Sequence, residues 1–334
     1  MAAPASRPPR RWRRILLRIA EVGTLLVATG ALALWCSVPN TAPLATENPT
    51  STAFIDLRRA QAEEAGTKFD LHWEWRPLGK ISRYLRAAVI YSEDYRFYHH
   101  DGVDWDAIEK AVDANLDRGS LAIGGSTITQ QVAKNLYLSP NRSFIRKLRE
   151  MLIAFSLEDH LSKQRILELY LNIAEWGDGV FGAEAAAKKW FGHSAQTLTP
   201  AEAARLAIAL PNPFTRAPNV HTPELTKKAV RLIRLFRLQG LIDETQERTA
   251  LDAVGAKNIQ VMPRNYLPEK LPVDPDPAPE PAPQGPVTEP NGPAPAPGET
   301  APAPSEVMPP PPSEVDAGES PRPPAGTSVS TPPL

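Results

Sequence analysis

A chain of 334 residues has room for about two domains, but its 37 prolines crowd towards the carboxy-terminal end, and one globular domain is the better expectation. The formal net charge of -1 argues against a nucleic-acid binder, although a basic amino terminus and an acidic carboxy terminus hide inside that average. Cys36 is the only cysteine, which excludes an intrachain disulfide framework and a cysteine-based zinc site.

Arg7, Arg10, Arg11, Arg13 and Arg14 precede Ile15–Cys36, a mostly apolar stretch long enough to cross a bilayer as a helix. Arg18 and Glu21 fall in its first turns, from which they can snorkel to the headgroups. A cleaved signal peptide is the competing reading, because the purely apolar core from Val22 to Trp35 is short. The small-residue pair Ala31 and Ala33 lies inside that core, which favours an uncleaved anchor. The arginines then place residues 1–14 in the cytoplasm by the positive-inside rule, with 15–36 as the anchor and the rest of the chain outside. Residues 37–70 are polar and weakly periodic, which suits a stalk.

From residue 71 to 266 the signals are helical. Ile81, Leu85, Ala88 and Val89 recur at spacings of three and four, predicting a helix that carries Glu93 at its end. Asp104 is placed to cap a helix with Ile108, Ala111 and Asn115 on one side. Thr127 and Gln130 form a capping box ahead of Ile128, Val132 and Leu136. A longer helix holds Phe144, Leu148, Met151, Leu152 and Phe155, and Arg142, Arg146 and Glu150, four apart, predict a polar stripe opposite that apolar face. Further starts are Ser162, Thr199-Pro200-Ala201-Glu202, Thr222-Pro223 and Asp243. No alternating strand is evident, so an all-α domain is expected. Residues 267–334 turn to Pro, Ala, Glu and Gly with few aliphatics, the composition of a disordered tail.

Several motifs carry chemistry. Glu93-Asp94-x-x-Phe97-x-x-His100-x-Gly102-x-Asp104 is followed by Gly124-Gly125-Ser126-Thr127-Ile128-Thr129-Gln130-Gln131. Then come Lys134-Asn135-Leu136, Arg146-Lys147-x-x-Glu150 and Glu168-x-Tyr170-Leu171-Asn172 with Gly177 and Gly182. With these residues the chain resembles the family 51 glycosyltransferases, which polymerise lipid-linked disaccharide into bacterial peptidoglycan, in their monofunctional biosynthetic form. The resemblance runs from about Trp75 to Asn219, and multi-position motifs of this kind are far more specific than a single short pattern.

The resemblance implies a lysozyme-like, two-lobed, all-α glycosyltransferase domain in the inner membrane, facing the periplasm. It implies lipid II and the growing lipid-linked glycan as substrates, with Glu93 as catalytic base and Glu150 on the leaving-group side. Lys134 and Arg142 would hold the pyrophosphate, Arg146 and Lys147 would extend that charge, and Ser126, Thr127, Gln130, Gln131, Asn135 and Asp94 would line the substrate cleft. A divalent metal, Mg or Mn, is the cofactor to test near Glu150. Leu136, Leu138, Phe144 and Ile145 are expected to be exposed and to touch the membrane. The tail offers a site for other cell-wall proteins, and it has neither Ser-x-x-Lys nor Lys-Thr-Gly, the signatures of a transpeptidase domain.

Other features favour structural roles: Asp104-Trp105-Asp106 over a metal-binding D-x-D, His100 as a hydrogen bonder, and His193 in place of a common lysine. The basic run Lys227, Lys228, Arg231, Arg234 and Arg237 reads as a solvated face, with anionic headgroups as the alternative. Two further functions stay open from sequence: a glycan-cleaving enzyme on the same fold, and a silent lipid II-binding scaffold.

Overall fold

A computed structural model describes residues 10–118, 125–141 and 143–256. Residues 1–9 of the basic amino terminus, Gly124, Arg142 and the tail 267–334 lie outside the described residues. The described residues all belong to one unit, Met1–Glu280, and the second unit, Pro281–Leu334, lies outside them.

Helix α1 (Arg10–Cys36) is apolar and solvent-exposed along its length, and it is long enough to cross a membrane once. Next come α2 (Ala53–Glu64), β1 (His72–Trp73), α3 (Arg83–Glu93), α4 (Trp105–Arg118) and α5 (Ile128–Tyr137). They are followed by α6 (Phe144–His160), α7 (Lys163–Ile173), β2 (Glu175–Gly177), β3 (Val180–Phe181), α8 (Ala183–Phe191), α9 (Pro200–Ala209), α10 (Pro223–Leu238) and α11 (Glu244–Ala253).

The start signals act as their chemistry dictates. Thr127, Thr199 and Asp243 each close a full capping box, and Ser162 and Thr222 each accept a backbone N–H of the first turn. Asp104 accepts the N–H of Ala107 at 3.0 Å and so caps α4. Two packing groups result. In one, α3 lies on α9 and α10, with α11 against both; in the other, α5 lies on α6 and α7. Glu93 ends the central helix of the first group, and Glu150 and Lys134 belong to the second.

The domain is all-α as expected, and four details differ from expectation. A small sheet exists, in the order β1-β3-β2, with β1 parallel and β2 antiparallel to β3. Each strand has only two or three residues, too few to display alternation, and Trp176, Val180 and Phe181 are fully buried. Gly182 closes this region at φ +81°, where a Cβ would lie 2.7 Å from the Asn172 carbonyl, so only glycine fits.

Residues 37–70 are not a bare stalk. Ile55 of α2 is completely buried, Leu44 is buried, and α2 packs on α5. Thr41 donates to the Ser156 carbonyl at 2.9 Å, and Arg149 donates to the Ser37 carbonyl at 2.9 Å. The segment is polar because it lies as one layer over α5 and α6, burying few of its own residues.

Helix α6 begins after its cap, Ser143, and turns a different face inward from the one foreseen. Its buried stripe is Glu150, Ile153, Ala154 and Leu157, so Glu150 lies on the packed face. Phe144 and Ile145 are exposed as expected, whereas Leu136 and Leu138 are buried. Ile55→Ala should lower the unfolding free energy of the protein by about 2–5 kcal/mol in urea titration, the cost of a large-to-small core change. A loss below about 0.5 kcal/mol, the size of an ordinary surface change, would return α2 to the status of a stalk.

Candidate active site

The site forms where the end of α3 meets the start of α5. Asp94, just past α3, is buried and accepts the N–H of Ile128 at 2.9 Å, while His100 Nε2 lies 3.0 Å from both of its oxygens. Thr127 donates from its hydroxyl to the Gly102 carbonyl at 2.6 Å, joining the first motif to the second again. Gly102 sits at φ +85° against the Ala154 backbone, so a side chain there would press on α6.

This frame aims Glu93 at α5. Gln131 donates from Nε2 to Glu93 Oε2 at 3.0 Å, and the Tyr170 hydroxyl donates to Gln131 Oε1 at 3.1 Å. Burial pushes the Glu93 carboxyl above its ordinary range, and the Asp94 charge adds to that. The Gln131 bond and the charges of Lys134 and Arg216 oppose the rise. Burial also pushes the Lys134 ammonium down, and the nearby cations Arg146 and Lys147 do the same, while Glu150 and Glu93 pull it up. Lys134 therefore lies in the field of both carboxylates, with its Nζ 5.5 Å from the centre of the Phe54 ring.

Glu150 is almost wholly buried and engaged on both oxygens. Arg146 donates to Oε2 at 2.7 Å, and Lys147 donates to Oε1 and, at 2.9 Å, to the Ser126 hydroxyl. A carboxylate held this way orients two cations and has no oxygen left over. Among the described residues no group of three His, Cys, Asp or Glu could hold a metal ion. The donor set around Glu150 does not fit a protein-held Mg or Mn, and no step below runs through one.

The structure thus brings Glu93, Gln131, Lys134, Ser126, Arg146, Lys147 and Glu150 into one electrostatic neighbourhood. Asp94 and Thr127 bond within the frame, and Gln130 accepts the Thr127 N–H at 3.1 Å as the capping-box partner while its Nε2 is buried without a partner among the described residues. Asn135 is buried, and Arg142 lies outside the described residues.

Two contributors were missed from sequence. Arg216 follows an Asn-Pro turn after α9, and its charge acts on Glu93 although it stands far from every motif. Phe54 belongs to the supposed stalk. The Asn212-Pro213 pair signalled a loop, and a cation in it was the only available hint.

The remaining motif residues are structural. Asn172 clamps Arg76 by its N–H at 2.7 Å and its carbonyl at 2.8 Å, and Glu168 accepts the Leu78 N–H at 2.9 Å. Asp104 and Asp106 both pair with Arg96, which leaves no free D-x-D. His193 Nε2 lies 3.1 Å from Glu202 Oε1, a contact that raises the imidazole pKa. In the basic helix, Arg234 and Arg237 turn to Glu247.

A helical domain in which the recessed carboxylate of Glu93 shares one electrostatic neighbourhood with the cations Lys134, Arg146 and Lys147 has the makings of an enzyme's active site. The family model described as Transglycosylase matches residues 62–237, just over half of the chain. The chain therefore belongs to the transglycosylase family.

The chain is similar to the biosynthetic peptidoglycan transglycosylase of Aromatoleum aromaticum, 50% identical over 166 residues, covering 50% of this chain and 72% of the relative. It is 48% identical over 195 residues to the protein of the same name from Azoarcus sp., covering 58% and 84% respectively. A third relative of that name, from Dechloromonas aromatica, is 43% identical over 207 residues, covering 61% and 85%.

Because burial raises the Glu93 pKa, its ionised form costs stability in the folded state. The cost is absent below the unfolded carboxylate pKa and fully present above the raised folded one. Glu93→Gln should therefore melt higher than the wild type at neutral pH, and the gap should close as the pH falls towards about 4. A gap that persists unchanged in acid would assign the difference to packing.

Proposed function

We propose that the protein polymerises lipid II into β-1,4-linked glycan, with a growing lipid-linked strand as donor and the 4-hydroxyl of lipid II as acceptor. The observation that carries this reading is Lys134, a mostly buried cation that feels the charge of Glu93 as well as that of the Arg146–Lys147–Glu150 cluster. A base is needed where a hydroxyl is activated, and fixed positive charge is needed where a pyrophosphate leaves.

In the step, Glu93 takes the proton of the acceptor hydroxyl as its oxygen bonds to the donor anomeric carbon. The bond from that carbon to the phosphate oxygen breaks, and its electron pair leaves with the undecaprenyl pyrophosphate. Lys134, Arg146 and Lys147 neutralise that charge, joined by Arg142, and Glu150 orients the last two of the described cations. One displacement on an α-linked donor inverts the centre to β without a covalent intermediate.

Arg216 helps to keep Glu93 ionised. The α1 helix serves as a single-pass anchor in the inner membrane, with the arginines cytoplasmic and the catalytic domain periplasmic. Residues 71–266 form the catalytic domain together with the α2 layer, and the tail 267–334 serves recruitment. A hydrolase acting on neutral glycan would have no use for this bank of cations.

The test sets polymer formation from labelled lipid II beside fragment release from sacculi. The wild type should make polymer and release no fragments. Glu93→Gln should lose at least about a hundredfold in rate with little change in binding of a lipid II analogue. Lys134→Ala should lose orders of magnitude, as a positioned electrostatic partner does, and Arg216→Ala about tenfold, with its loss largest in acid. An active Glu93→Gln polymerase would sink the base assignment, and soluble fragments from sacculi would replace the transferase by a hydrolase.

A further inference from the structure

The hydrogen bonds behind Glu93 continue into α7. Tyr170 is fully buried, and its hydroxyl, lodged in the core, bonds to Gln131 Oε1 at 3.1 Å. A buried hydroxyl without a partner is costly, so this bond is a commitment of the fold. Gln131 is an amide whose two ends differ only in being acceptor or donor. An ionised Glu93 accepts only, so it demands the NH₂ end, and the oxygen end must then face a donor. Tyr170 is that donor. Burial, reinforced by the charges of Glu93 and Asp94, pushes its phenol well above its ordinary range, so it keeps its proton wherever Glu93 has lost one.

We propose that Tyr170 is a positioning residue for Glu93: acting through the Gln131 amide, it holds one carboxylate oxygen in a fixed direction and presents the other to the acceptor hydroxyl. This inference rests on the reading of Glu93 as the base. Without the phenol the amide rotates freely, the bond to Glu93 Oε2 weakens, and the carboxylate loses its aim and part of its stabilisation. The other charges that act on Glu93 are Lys134 on α5, Arg216 in the loop after α9, and Asp94 next to it in the chain, whereas the amide oxygen of Gln131 is bonded by the Tyr170 hydroxyl.

Tyr170→Phe keeps the ring and deletes the donor. Expected for Tyr170→Phe are a kcat lowered about tenfold at near-constant KM and an acid limb of the kcat/KM profile moved to higher pH, because a carboxylate that loses a donor binds its proton more tightly. Gln131→Ala should show the same pair of changes. The double variant should be no slower than Gln131→Ala alone, since the phenol acts only through the amide.

Losses that multiply in the double variant, or an acid limb unmoved by Tyr170→Phe, would overturn the inference. If Tyr170→Phe fails to fold, 3-fluorotyrosine at position 170 carries the test: its stronger O–H donor should move the limb to lower pH, and an unmoved limb overturns the proposal. A wild type that polymerises beside a multiplicative cycle removes this inference alone. A wild type that makes no polymer removes the proposed function and this inference with it.

Discussion

Asp94 accepts the first N–H of α5 and meets His100 away from water, and that contact sets the end of α3 against the start of α5. The first N–H groups of a helix have no partner within it, and a carboxylate there satisfies one of them while meeting the positive end of the helix dipole. Because Asp94 directly follows α3, the same bond ties the last residue of α3, Glu93, to the turn of α5 that carries Gln131 and Lys134. The tie is reinforced from below. Lys163 of α7 reaches the His100 carbonyl, and Glu158 of α6 receives both Lys163 and the Thr129 hydroxyl at 2.7 and 2.6 Å. Elements from both packing groups thus hold one junction, and the first two sequence motifs are the two sides of it.

Burial moves the pKa values of Glu93 and Lys134 in opposite directions. It disfavours the charged form of Glu93 by raising its pKa and that of Lys134 by lowering its pKa, and each is kept charged partly by the other. Such a pair contributes little to stability, because desolvation offsets the attraction. On the proposed mechanism it supplies a base and a cation in a partly desolvated site, as a displacement with a departing anion requires. Glu150 shows the complementary solution: it is more deeply buried, yet both oxygens are taken by cations that it holds in place. The two carboxylates therefore differ: among the described residues Glu93 accepts a hydrogen bond on Oε2 alone, and Glu150 on both oxygens.

Helix starts were legible because capping is local chemistry: Thr127, Ser162, Thr199, Thr222 and Asp243 each lie within three residues of the group they bond. The inward face of α6 was not legible. Spacing made Arg146 and Glu150 one polar stripe, and only the tertiary packing reveals that Glu150 lies on the buried face of the helix while Lys147 beside it reaches Ser126. Asp94, Thr127 and Gln130 carry bonds of the frame that the motif did not reveal, since a motif marks residues near the substrate and those that build its walls alike. Arg216 and Phe54 were missed because each reaches the site from a segment with no motif of its own. The strands were missed because a two-residue strand carries no period.

The route of the chain out of α1 explains why the segment after it is so closely tied. It meets α6 at Arg149, beside Glu150, and then runs towards the carboxy-terminal end of that helix, where Thr41 engages Ser156 and His160. The opposite end of α6 bears the exposed Phe144 and Ile145, about one and a half turns from Glu150. An anchor joined to the domain only by a flexible stalk would leave the cation cluster free to tumble relative to the bilayer. Bonds from Ser37 and Thr41 to α6 instead fix the helix that carries the cations with respect to the point where the chain leaves α1. On the proposed reading, with α1 in the membrane that holds the donor's lipid, fixing α6 relative to the end of α1 removes an orientational search from the encounter.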